Sequence, residues 1–553
     1  MIEMKMRSAL VGIALLATAA AQAQSLSEVW QPDRGDGTYH NPVLYADYSD
    51  PDVCAVDEDY YLTASSFQCT PGLPILHSRD LVNWRIIGHA LPTLTPAADF
   101  KLPQHGKGVW APAIRHHDGH FYIYWGDPDR GVFMSRAERA EGPWEEPVCI
   151  IEGRGMIDPC PLWDEDGRCY LVNAWAASRA GFNSVLSVRE LSADGTRVIG
   201  LPRIVFDGGQ VNHTVEGPKF YKHEGYYWIF CPAGGVAMGW QLAMRSRSPY
   251  GPYEWRRVMA QGTTDINGPH QGAWVHTPQG EDWFLHFNDK GAYGRVVYLQ
   301  PMAWQDGWPV IGNDKDGDGC GEPYASYRKP KTTATERVNP QESDDFDGGT
   351  LGLQWQWHAN YDQTYGMPTA DGCVRLYTHH LASFRGDAVN LWAAPNLLLQ
   401  KPTAPRFTAT AKVRMAAKAE GQWGGLVMMG RSYSALVALR RGDTFVVQRR
   451  TCTDADDGKP ESAEDIVELK PTAADTIPYA PAIYLDLYLR IAVEDGQCRY
   501  AYSTDGRRFK VAGEPFAMRE GKWIGVKFGF VAESDAADAN RGWLDVDWIK
   551  ITK

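Results

Sequence analysis

The chain has 553 residues, more than one ordinary domain holds, so two large units are expected. Its composition is globular, with 44% hydrophobic and 22% charged residues and with 55 Gly and 35 Pro to punctuate many short elements. A formal net charge of −13 argues against nucleic acid or an anionic membrane surface as partner and leaves room for a neutral or cationic one.

In chain order, the first feature is an export signal over residues 1–23. Lys5 and Arg7 precede an apolar run from Ala9 to Ala21, and Ala21-Gln22-Ala23 offers small residues around a cleavage point. The run is too short to span a membrane, and no Cys stands at the cleavage point to carry a lipid. The expected location is the periplasm or the medium. Ten Cys are spread widely with no zinc-like spacing, and Cys54 with Cys69 or Cys160 with Cys169 are close enough in sequence for local disulfides.

Residues 38–326 repeat one local plan. A turn leads into an aromatic-rich strand, at Tyr60-Tyr61, Phe121-Tyr122, Cys169-Tyr170, Tyr226-Tyr227 and Trp283-Phe284, at intervals of roughly 50 to 60 residues. That is the length of a four-stranded propeller blade, so five repeats predict a five-bladed β-propeller. Helical periodicity is nearly absent, and the fold class is all-β. The 21 Trp and 26 Tyr suit sheet cores, and any left exposed can stack on the CH faces of sugars.

Radial repeats bring equivalent positions to one axis. Asp50 in Ser49-Asp50-Pro51-Asp52, Asp158 in Ile157-Asp158-Pro159 and Glu216 in Val215-Glu216-Gly217-Pro218 each stand before a blade's aromatic strand at a similar distance. An acid before Pro or Gly-Pro is usually a turn starter. Three in register instead predict a shared cluster of carboxyl groups.

Residues 327–342, rich in Lys, Thr and Pro, are a linker. Just before them, Asp314-Lys315-Asp316-Gly317-Asp318-Gly319 copies the start of an EF-hand loop, but its twelfth position is Ala325 rather than Glu, which favours an acidic turn. Residues 343–553 alternate as antiparallel strands and predict a two-sheet β-sandwich. Asp345 and Asp347 near its start and Asp545 and Asp547 near its end lie on first and last strands that could be neighbours, so a structural Ca2+ held by Asp345 and Asp547 is expected there. No organic cofactor is implied.

Asn41-Pro42-Val43-Leu44, Ser49-Asp50-Pro51-Asp52, Pro71-Gly72-Leu73-Pro74-Ile75, His77-Ser78-Arg79-Asp80-Leu81-Val82-Asn83-Trp84, Val109-Trp110-Ala111-Pro112 and Glu216-Gly217-Pro218 together resemble glycoside hydrolase family 43. Asp345-Phe346-Asp347 with Leu351-Gly352-Leu353-Gln354-Trp355 is similar to the concanavalin-like jelly roll of its β-xylosidase and α-L-arabinofuranosidase branch. The resemblance implies an inverting exo-glycosidase that removes terminal α-L-arabinofuranosyl or β-D-xylosyl units from plant polysaccharide, with arabinose slightly favoured. It implies Asp50 as general base, Glu216 as general acid, and Asp158 as the group that raises the pKa of Glu216 and orients it. It sets Phe67 and Trp110 in the pocket wall and Arg295 against sugar hydroxyls, with Trp175 and Arg179 as further candidates on inner loops of the third blade. His270 resembles an axial histidine that holds calcium directly or through water, with a buried histidine bonded only to its neighbours as the equal alternative. The rival readings are a catalytically silent sugar-binding propeller and a retaining fructan-type enzyme. The motifs leave the polymer and the oligomeric state open.

Overall fold

In the computed structural model, residues 26–381, 389–475, 481–537 and 540–553 are described. The expected export signal lies outside them. Five four-stranded antiparallel sheets follow one another along the chain. Blade 1 comprises Asp52–Val56, Asp59–Thr63, Gly72–Ser78 and Arg85–Leu91. Blades 2 to 5 repeat that order, and their first strands are Trp110–His117, Met156–Trp163, Lys219–His223 and His270–His276. First strands of blades 5, 1, 2, 3 and 4 contact one another in turn around the axis, and blade 5's first strand also meets the second strand of blade 4.

The aromatic stretches that reveal the repeat are the second strands, such as Tyr226–Ala233 and Asp282–Asp289. These strands are covered on both faces by adjacent blades, which is why large apolar residues fill them. The axial first strands are shorter in aromatic signal and carry the polar groups instead. The propeller closes with Thr38–His40 paired to Ser326–Arg328 and Leu44 bridged to Val297. The Asn41 side chain reinforces this seam, because it donates to the Leu299 and Tyr324 carbonyls and accepts from the Leu299 N–H.

The expected linker is held down along the propeller surface. The Lys329 ammonium bonds to Asp33 and Asp80, the Lys331 N–H donates to Glu281, and the Thr332 hydroxyl donates to the Arg79 carbonyl. Beyond it, two large antiparallel sheets stack as a sandwich. Alternate residues of Phe407–Ala417 and Ile483–Glu494 face Leu426, Leu436, Phe445, Phe528 and Phe530 of the other sheet across one core. No helix among the described residues is long and apolar enough to cross a membrane.

The junction between the two units is tight. The Asp47 carboxylate accepts the Arg295 N–H at 2.8 Å through one oxygen and the Gly525 N–H at 3.0 Å through the other, so one side chain ties blade 5 to a loop of the sandwich. A Cβ on Gly525 would sit 2.6 Å from the Tyr293 carbonyl carbon, so only glycine allows this approach. Thr70 and Trp357 exchange backbone hydrogen bonds nearby.

All ten cysteines fall among the described residues and all are unpaired, which corrects the disulfide expectation. Cys160 faces the propeller axis, where its sulfur meets the Arg115 guanidinium and the Phe220 N–H. Cys169 pairs with Trp163 and packs in a different apolar cluster, so the two sulfurs diverge.

Candidate active site

Each of the three acids sits where a blade's axial strand begins. Asp50 precedes Asp52–Val56 by two residues, Asp158 lies near the start of Met156–Trp163, and Glu216 precedes Lys219–His223 by three. Asp50 and Asp158 adopt φ of 55° and 56°, a left-handed conformation that Asp tolerates better than most residues. The shared bend turns both carboxyls toward the axis. There they line one cavity of about 340 Å3 with Glu216, Phe67, Trp110, Arg295 and Trp523, a volume suited to a small ligand.

Asp50 is 6% exposed and accepts on both oxygens. The Ser49 and Ser65 hydroxyls donate to one oxygen at 2.8 and 2.6 Å, and the Arg295 guanidinium meets the other at 3.0 Å. Arg295 is itself fixed by the Ser49 hydroxyl and lies over the Phe287 ring. These are the contacts of an ionised carboxylate.

Asp158 differs. It is buried, and its one hydrogen bond is from the Gly217 N–H at 2.7 Å. Burial, then the nearby Glu216 and Asp50, hold its carboxyl well above the usual range, against the Gly217 N–H and the Lys219 ammonium. As anions, Asp158 and Glu216 repel one another, which favours holding a proton at the pair. The Gly217 bond also fixes the backbone next to Glu216.

Glu216 is more open, its side chain 28% exposed, and its carboxylate meets His270 Nε2 at 2.9 Å. His270 is 1% exposed, and its Nδ1 is buried without a partner. Calcium takes 6–8 oxygen ligands, and the carboxyl beside His270 is already engaged by the ring. In this arrangement His270 holds Glu216 through Nε2, and Nδ1 is the ring atom left to meet a cation or its water.

The sandwich acids expected to hold a calcium ion already have partners. Asp547 is paired with Lys412, Asp545 is gripped by two Arg375 nitrogens at 2.7 and 2.9 Å, and Asp345 turns back to the Asp347 N–H. The strand adjacency holds, with Asp344 bridged to Ile549, but lysine and arginine occupy the carboxylates a cation would need. Among the described residues only Asp314, Asp316 and Asp318 bring three potential ligand atoms within 4.8 Å of one another, and Asp314 there accepts the Gly317 and Gly319 N–H groups as an acidic turn does.

Phe67 and Trp110 form the expected wall, their ring centroids 6.4 Å apart. Trp175 and Arg179 do not reach the cavity. The Trp175 indole bonds to the Ser187 hydroxyl, while Arg179 pairs with Asp129 and lies 5.4 Å from the Trp110 ring centre, supporting that wall from outside. Sequence reasoning missed Trp523, Gln271 and Thr214, all of which line the cavity. Trp523 comes from the sandwich, on the loop next to Gly525, and packs edge-on to Trp110 at 6.5 Å. Its one sequence signal is an aromatic residue in the loop Gly521-Lys522-Trp523-Ile524-Gly525.

The description Glycosyl hydrolases family 43 matches residues 39–309, and Beta xylosidase C-terminal Concanavalin A-like domain matches residues 343–552. A putative beta-xylosidase of Xylanibacter ruminicola is 35% identical over 501 residues, 90% of this chain and 86% of its own. A beta-xylosidase of Formosa agariphila is 31% identical over 93% of this chain and 90% of its own. A non-reducing end alpha-L-arabinofuranosidase of Bacteroides ovatus is 31% identical over 75% of this chain and 79% of its own. The crystal structure of a GH43 protein from Bacillus licheniformis superposes with a TM-score of 0.77 at 26% identity, covering 93% of this chain and 99% of that one.

Proposed function

Because the chain belongs to glycosyl hydrolases family 43, we propose that this glycoside hydrolase is exo-acting and inverting, and that it releases terminal non-reducing β-D-xylosyl or α-L-arabinofuranosyl units from plant polysaccharides or their oligosaccharides. The xylosyl reading comes first because the relatives that span 90% and 93% of this chain carry that name. The observation that carries the proposal is the convergence of Asp50, Asp158 and Glu216, from three blades, on one cavity walled by Trp110 and Trp523.

In this reading Asp50 takes a proton from a water on one face of the sugar. The water oxygen bonds to the anomeric carbon as the bond to the leaving oxygen breaks, and Glu216 delivers its proton to that oxygen. Arg295 and the Ser49 and Ser65 hydroxyls hold Asp50 in its accepting state. Asp158 keeps a proton at the acid end, and His270 aims Glu216. Phe67, Trp110 and Trp523 stack on the sugar and exclude water. The aminoterminal pattern supports export to the periplasm or medium, where such polymers are met.

The test is hydrolysis of p-nitrophenyl β-D-xylopyranoside and α-L-arabinofuranoside by wild type and Glu216→Ala. Release from one or both that collapses in the variant supports the assignment, and the ratio ranks the sugars. An NMR record of the first-formed anomer decides the stereochemistry: inversion is expected, and a retained anomer would refute it in favour of a nucleophilic Asp50.

A further inference from the structure

The chain has 21 tryptophans, all among the described residues. Twenty of them make a ring contact, carry a cation over the ring or donate an indole hydrogen bond. Trp255 does none of these, although it is 42% exposed. It stands on the fourth strand of blade 4, Glu254–Ala260, and lines an open groove of about 680 Å3 between that strand and the segment 313–322. The groove owes its shape to a backbone detail. Gly321 pairs with Met259 in parallel, so segment 313–322 covers the later half of the blade edge and leaves Glu254 to Arg257 uncovered.

The charged side chains of the groove cancel. Arg256, Arg257 and Lys315 face Asp316, Asp318 and Glu322. The arginines are fixed in place, Arg256 at 4.7 Å from the Trp308 ring centre and Arg257 at 4.0 Å from that of Trp240, and Lys315 is paired with Glu322. A site with no net charge selects neither an anion nor a cation, while it offers many fixed donors and acceptors beside a free aromatic face. That chemistry suits a neutral, hydroxyl-rich chain, whose ring CH groups stack on indole and whose hydroxyls bond to both charge types.

The direction of the groove is also informative. The axial strand of blade 4 begins at the Glu216 end, so the antiparallel order makes the outer strand end there too. The groove thus runs from Trp255 at the far side of the propeller toward Ala260 and Gly262 at the end that bears the catalytic cavity, a length of roughly 17 Å at 3.3 Å per residue.

We propose that this groove is a second, non-catalytic binding site for a neutral polysaccharide chain, with Trp255 as its stacking platform. The proposal rests on the polysaccharide reading above. Its test is affinity electrophoresis of the full chain through gels containing soluble arabinoxylan, run in a Glu216→Ala background so that the polymer stays intact. Trp255→Ala should weaken retardation at least fivefold, and Trp255→Phe should restore most of it. In the otherwise wild-type chain, Trp255→Ala should hydrolyse p-nitrophenyl glycosides at the unchanged rate. Equal retardation with and without Trp255, no retardation of the parent, or retardation by polygalacturonate instead of arabinoxylan would overturn the proposal. So would a loss of p-nitrophenyl glycoside turnover in Trp255→Ala. Failure of the catalytic reading appears separately, as no turnover by the wild type.

Discussion

Gly525→Ala tests whether the junction between propeller and sandwich sets the catalytic geometry. The new Cβ would lie 2.6 Å from both the carbon and the oxygen of the Tyr293 carbonyl and 2.8 Å from the Gly294 nitrogen. All three are backbone atoms, so no side chain can swing away, and ordinary contact at about 3.5 Å requires the segments to part by nearly 1 Å. Overpacking of this kind costs about 1–3 kcal/mol. Two bonds stretch with it, from the Gly525 N–H to Asp47 and from the Val526 N–H to the Ala292 carbonyl. Trp523 lies two residues before the substitution, and Arg295, the partner of Asp50, two residues after Tyr293. A misplacement of about 1 Å at reacting groups can cost on the order of 100-fold, so kcat/KM for a p-nitrophenyl glycoside should fall about 10- to 100-fold, together with a lowered thermal midpoint. Gly348→Ala, whose Cβ would meet nothing closer than 4.0 Å, is the control and should change neither. Wild-type kinetics and melting in Gly525→Ala would refute the reasoning.

Trp523→Ala removes a half-exposed ring, so the fold should hold while kcat/KM falls by the ~0.5–1.5 kcal/mol of an aromatic contact, about 2- to 12-fold; steady-state kinetics beside a melting curve check both halves. Arg115→Met leaves the fully buried Asp52 without its partner at 2.6 Å and should cost about 3–5 kcal/mol of stability, read from the denaturant midpoint. The raised carboxyl of Asp158 means that the native state keeps a proton the unfolded chain releases above about pH 4. Its contribution to stability is therefore lost as pH rises from there through the native value. Asp158→Asn escapes that loss, so it should melt higher than wild type at pH 7, converge with it below about pH 4, and lose turnover. Thiol titration in denaturant without reductant should find ten free cysteines per chain.

The propeller was legible because its second strands are buried on both faces and so recur as aromatic runs, Tyr60-Tyr61 through Trp283-Phe284. The acids were legible because radial symmetry repeats one bend, the left-handed residue before proline at Asp50 and at Asp158. Trp523 was hidden for a physical reason: its chain neighbours belong to another unit, and only the close approach of Gly294 and Gly525 carries it to the axis. Trp175 and Arg179 were misplaced because the end of the strand Cys169–Trp175 and the single helical turn Ala177–Ala180 that follows are too short to show which side faces the axis. The partners of Asp547 and Asp545 were hidden because the cross-strand cations Lys412 and Arg375 are set far away in sequence.

Trp523 separates two kinds of inheritance. On the proposed mechanism the carboxyls are bound by the reaction, since replacing Asp50 or Glu216 with a side chain that has no carboxyl removes a proton acceptor or donor, and they reside in the propeller. A wall of the cavity belongs to a domain that holds none of those groups. Substitutions accumulating in loops of the sandwich can therefore reshape which sugar fits while the chemistry stays intact, and exchanging sandwiches between relatives becomes a route to new selectivity that leaves the catalytic residues untouched.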